Sequence, residues 1–213
     1  MTEKNMVGIP LETEVKKNGV VISKTETKYP VSQADADAKT SGLPLPVSVS
    51  SLDLQSNAMN MGVLYKKYDT QGNLLQYNLQ PNASGDSGNP VTIIWGYGNT
   101  QPIAKVEGIG YDALMAFPGI PAIIADLQSK SAADVDVAAE QILISALDSF
   151  RKNSSLATYP ITTYTYNPLV GVTSITPPSG IREIYLYDTA NRLQAVKDVN
   201  GNVLKEYQYH YKP

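Results

Sequence analysis

Residues 184–211, IYLYDTANRLQAVKDVNGNVLKEYQYHY, constrain this chain more than any other stretch. Tyr185 and Tyr187 alternate with Ile184 and Leu186, the period of two that sends successive side chains to opposite faces of a strand. Leu193 to Val196 begins a second strand. Asn200-Gly201 is the residue pair that most readily takes φ > 0 at both central positions of a two-residue hairpin turn. Val203 to Tyr211 then returns with Tyr207, Tyr209 and Tyr211 on one face. Such a unit grows by adding antiparallel neighbours, and the predicted fold is mainly β: an antiparallel hairpin-repeat sheet.

The same pattern runs through the earlier sequence. Val7 to Lys17 and Val20 to Tyr29 read as a hairpin across Asn18-Gly19, and Pro46 to Leu54 as a modest strand. Between them Val31 to Pro46 is polar and Asp/Ala-rich, a connection by composition. Gly62 to Tyr68 pairs with Leu74 to Leu79, and Val91 to Gly96 with Pro102 to Glu107. After Gly110 the period changes. Pro121 to Ser129 carries Ile123, Ile124 and Leu127 at helical spacing, with Pro in the first turn, where its missing N–H costs nothing. Asp134 to Asn153 is the clearest helix, with Val135, Ala138, Ala139, Ile142, Ala146 and Phe150 on one stripe. This helical hairpin is expected to lie on a sheet face with Ile142, Ala146 and Phe150 inward. From Tyr159 strands resume: Ile161 to Asn167, Val172 to Thr176 and Ile181 to Tyr187. Three segments follow: β hairpins over 1–110, a helical insertion over 111–155, and further hairpins over 156–213.

An internal repeat sharpens this. Tyr68-Asp69-x-x-Gly72-Asn73-Leu74 and Tyr187-Asp188-x-x-Asn191-Arg192-Leu193 share an order that suits a turn: Asp can bond its own backbone, and Gly or Asn can go left-handed. Tyr164-x-Tyr166-Asn167 is a weaker copy. The C-terminal unit resembles the YD repeat of RHS-type proteins, through Tyr187, Asp188, Arg192, Leu193, Asp198, Gly201, Tyr207 and Tyr209. Asn191 stands where that family has Gly, and residues 110–155 have no counterpart. The resemblance implies a segment of a large secreted or cell-surface bacterial protein whose hairpins wind into a shell, often around a toxin. Strand-like alternation starting near Val7 leads us to expect that Met1 is an artificial start and the chain a piece of something longer.

Composition removes several chemistries. There is no Cys, which excludes disulfides, thiolate metal sites and a thiol nucleophile. A net charge of −3 leaves no general footprint for nucleic acid. No apolar run approaches the ~20 residues that span a bilayer. Gly85-Asp86-Ser87-Gly88 looks like a serine-protease nucleophile loop. The mechanism needs a His base, in that family N-terminal to the Ser, and the only His is His210. Asp35 with Asp37 and Asp134 with Asp136 read as a connection and a helix start rather than acid–base pairs. We therefore expect no enzyme, no cofactor and no metal.

The tyrosines are the one constellation with a functional reading. Tyr164 and Tyr166, Tyr185 and Tyr187, and Tyr207, Tyr209 and Tyr211 recur at period two, so they can form cross-strand ladders worth about 0.2–1 kcal/mol per pair. Aromatic rows can also hold sugar rings. The preferred reading is a non-catalytic scaffold whose partners are neighbouring repeats of a parent chain, with edge strands open to self-association. The alternative is a module that binds a carbohydrate or a peptide on its tyrosine face.

Overall fold

The computed structural model describes residues 8–81 and 88–210; Val7, Ser87 and Tyr211 lie outside the described residues. Twelve strands form one antiparallel sheet in strict sequence order. They are β1 (Glu12–Lys17), β2 (Val20–Lys28), β3 (Ser48–Asp53), β4 (Ala58–Tyr68), β5 (Leu74–Leu79) and β6 (Asn89–Gly96). After these come β7 (Gln101–Glu107), β8 (Ile161–Asn167), β9 (Gly171–Thr176), β10 (Glu183–Tyr187), β11 (Leu193–Lys197) and β12 (Val203–Glu206). Helices interrupt the meander at α1 (Gln33–Lys39), α2 (Tyr111–Met115), α3 (Ile120–Ala132) and α4 (Val137–Arg151). The chain packs as two compact units, residues 1–92 with 108–113, and residues 93–107 with 114–213.

Three turns are wired alike. Each opens on an Asp whose Oδ1 accepts the backbone N–H groups two and four residues on. Asp69 takes Gln71 and Asn73 at 2.9 and 2.8 Å. Asp188 takes Ala190 and Arg192 at 2.8 and 3.0 Å, and Asp198 takes Asn200 and Asn202 at 2.9 Å each. The second oxygen then accepts from the side chain four residues on: Asn73 at 3.0 Å, Arg192 Nε at 2.8 Å and Asn202 at 2.8 Å. The residue before that one is left-handed in every case, Gly72, Asn191 or Gly201, with φ of 92°, 58° and 83°. Hydrogen bonds from the Arg192 side chain first, and from its N–H, hold the Asp188 carboxyl below the ordinary Asp range. The Asn202 side chain does the same for Asp198.

This wiring corrects the turn expected at Asn200-Gly201. Only Gly201 has positive φ, and Gly201 N–H donates to Asp198 O at 3.1 Å, so the loop is longer than a two-residue turn. The Asp198 carboxylate bonds the N–H of Asn200 and so favours a right-handed turn there. Asn18-Gly19 has no such Asp and does form the two-residue turn, with φ of 51° and 79° and Lys17 opposite Val20. Lys197-Asp198 is thus a full copy of the motif, while Asn167 is a weaker one that accepts only the N–H two residues on, from Leu169 at 3.1 Å.

In the first unit the buried apolar residues are few: Ala36, Tyr68, Val91 and Ile109. Polar bonds supplement them. Tyr68 donates its hydroxyl to Pro46 O at 2.8 Å, and Thr92 Oγ1 donates to Ile109 O at 2.9 Å. Helix α1 lies where a plain connection was expected. Ser32 caps it by accepting Asp35 N–H at 3.1 Å, and Asp35 pairs with Lys39 one turn later. The Ser-x-x-Asp spacing was the available signal; it carries no apolar stripe because only Ala36 is buried.

The second unit has the larger core, and the helices supply much of it. Ile120, Ile124 and Leu127 of α3 and Leu143, Leu147 and Phe150 of α4 are buried with Ile94, Ile103, Val106 and Ile161 of the strands. Asp136 caps α4 by accepting Ala139 N–H at 2.8 Å. The helical insertion exists with Phe150 inward as expected, but Leu143 and Leu147 take the inward places expected of Ile142 and Ala146. Ile142 is 58% exposed and lines an open groove beside α3. Two adjacent stripes converge on Phe150, and the one that adds two Leu buries more apolar area than the one that adds Ile142 and Ala146.

Candidate functional site

The tyrosines do not form one ladder. Strand β9 separates β8 from β10, and β11 separates β10 from β12. Tyr164 stands opposite Ile175, Tyr166 opposite Val172, Tyr185 opposite Val196 and Tyr187 opposite Leu193, so each of the four has an aliphatic cross-strand partner rather than another tyrosine. Tyr187 donates its hydroxyl to Val172 O at 2.9 Å. Tyr185 donates to Glu183 at 2.8 Å and is pushed up to about 12 by burial first and by that carboxylate second. Strand β12 ends at Glu206, short of the expected Tyr211. Tyr207 and Tyr209 follow it; Tyr209 stacks on the Arg192 guanidinium at 4.5 Å and donates to Leu193 O at 2.7 Å.

The structure instead gathers functional groups at one end of the second unit. The β6–β7 turn, the α3–α4 connection and the β8–β9 turn meet around a cleft of about 820 Å³. Its anchor is Tyr97, which sequence reasoning passed over. Tyr97 is buried and left-handed, with φ of 51°, a conformation costly for a bulky residue. Contacts on all sides hold it. Its N–H donates to Ser131 Oγ at 2.9 Å, its hydroxyl donates to Asp134 Oδ2 at 2.6 Å, and that hydroxyl accepts Tyr166 N–H at 2.9 Å. The Tyr97 and Tyr166 rings meet edge to face at 5.7 Å and 84°. Of the tyrosines singled out from sequence that fall among the described residues, Tyr166 is the one that lines this cleft. Burial, then Tyr164, pushes it up to about 12, so it stays a neutral phenol.

Carboxylates complete the cleft. Glu140 Oε1 accepts from Thr165 Oγ1 at 2.9 Å and also from Thr173 Oγ1. Asp134 is raised above the ordinary Asp range, chiefly by burial, with Glu140 and Asp136 adding to the rise and the Tyr97 hydroxyl opposing it. A carboxyl that is harder to ionise folded than unfolded leaves the native state with more protons. Stability then falls as pH rises from the ordinary Asp range through the raised value. Asp134→Asn keeps an oxygen for Tyr97 and removes the charge. It is expected to leave the pH 7 melting temperature equal or higher and to flatten its acid-range slope; a loss of several degrees at pH 7 would contradict this account.

No group of three or more His, Cys, Asp or Glu residues among the described residues is placed to hold a metal ion. No helix among them is long and apolar enough to cross a membrane.

No protein-family model matches the chain, and no curated protein matches it. Among solved structures it is similar to a chain in the crystal structure of TcdB2-TccC3 without its hypervariable C-terminal region, at 11% identity and a TM-score of 0.37. That match covers 92% of this chain and 9% of the other.

Proposed function

We propose that this chain is a non-catalytic structural segment of an exported bacterial protein built from YD-type hairpin repeats, a piece of scaffold or shell wall. The observation that carries the reading is the thrice-repeated Asp turn. The carboxylates of Asp69, Asp188 and Asp198 are all spent on bonds within their own hairpins, as a structural repeat requires. The order of the sheet agrees with it, because a meander extends at either side without rearrangement. The outermost strands β1 and β12 are exposed along their length, which suits pairing with further repeats. The tyrosine hydroxyls fit the same role, since Tyr187 and Tyr209 bond backbone carbonyls of their own unit.

A glycan array tests this against the carbohydrate-binding alternative. The chain is expected to give no saturable signal. Specific glycan binding that disappears in both Tyr207→Ala and Tyr209→Ala, with each variant still folded, would overturn the scaffold reading.

A further inference from the structure

The cleft around Tyr97 carries something that a scaffold role does not use. Leu169 is 91% exposed, Val135 85% and Val137 83%, and all three stand at the mouth of this one cavity. Apolar side chains scattered singly on a surface mean little, but three large ones rimming a single cleft form a patch that water covers poorly. The same lining holds Asp134, Asp136 and Glu140, and no Lys or Arg among the described residues lines the cavity. None of the three joins an ion pair among the described residues. Burial first, with repulsion from Glu140 and Asp136 added to it, holds the Asp134 carboxyl above its ordinary range.

We infer that this cleft docks a partner protein segment that places one Lys or Arg between apolar side chains. The cation meets the carboxylates, its flanking residues cover Val135, Val137 and Leu169, and the Tyr166 ring borders the charge. Charge complementarity selects this occupant. A free metal ion would leave the apolar rim uncovered. A sugar ring would need an open aromatic face, whereas Tyr97 is buried and meets Tyr166 edge to face. The cavity is within the ~300–1,000 Å³ range of ligand sites and admits a side chain with its neighbours.

A displayed library of random heptapeptides, panned on the full 213-residue chain, tests the inference without assuming a sequence. Enriched peptides are expected to carry Lys or Arg beside Leu, Val or aromatic residues, and to bind more weakly as salt rises. Affinity should drop about tenfold in Asp134→Asn and about fivefold in Leu169→Ser. Both variants should fold, because Asn retains the Tyr97 bond and Leu169 is solvated; matching near-UV circular dichroism would establish it. Three results would overturn the inference: no enrichment, enriched peptides without a basic residue, or equal binding to the folded variants. Saturable binding of an oligosaccharide at this cleft, lost in Leu169→Ser, would overturn it as well.

Discussion

Leu143→Asp is expected to unfold the second unit at ordinary temperature, whereas Ile142→Asp, one residue earlier, should shift its melting temperature by only a few degrees. Leu143 is 0% exposed, on the line that continues through Leu147 and Phe150 into the core. Truncating a Leu there would alone cost about 2–5 kcal/mol. A carboxylate adds the cost of burying a charge or of protonating it, a further few kcal/mol. The sum rivals the whole stability of a domain, about 5–15 kcal/mol. Ile142 faces the open groove beside α3, where an Asp remains hydrated. Thermal denaturation followed by circular dichroism separates the two. Similar losses in both variants would mean that the helix packs in a different rotation.

That pair also shows how far the sequence could be read. The helix was legible from its period and its acidic start, because both are local properties of residues 134–153. Its rotation was not, because Ile142-Leu143 and Ala146-Leu147 offer two apolar stripes about 100° apart. Only the surface facing them chooses. The strands were legible for the same local reason, and the repeated Tyr-Asp order announced turns in which Asp bonds its own backbone. The type of turn at Asn200-Gly201 was misread because the pair was weighed without Asp198 two residues earlier. Tyr97 escaped notice altogether. Its site is assembled from Ser131, Asp134 and Tyr166, which lie 34 to 69 residues away, so no local pattern marks it.

Gly96→Ala is expected to destabilise the second unit by about 1–3 kcal/mol, while Gly62→Ala should change the first by less than about 1 kcal/mol. Both glycines sit in strands, and neither is left-handed, so sequence treats them alike. Their surroundings differ. A Cβ on Gly62 would find only Val49 O, at 3.9 Å, an ordinary contact. A Cβ on Gly96 would lie 2.5 Å from Ser131 Oγ and 2.6 Å from Ile103 Cγ2. Neither neighbour can step aside. Ser131 Oγ accepts Tyr97 N–H and donates to Gln128 O at 2.8 Å, and Ile103 is fully buried. The added methyl therefore pushes α3 from the sheet or breaks the bond that holds Tyr97 left-handed. In the second case the effect reaches the cleft, and Tyr97 should become accessible to solvent quenching of its fluorescence. Urea denaturation of both variants measures the difference. Equal midpoints for Gly96→Ala and wild type would mean that α3 does not approach β6 as closely as Ser131 and Gly96 require.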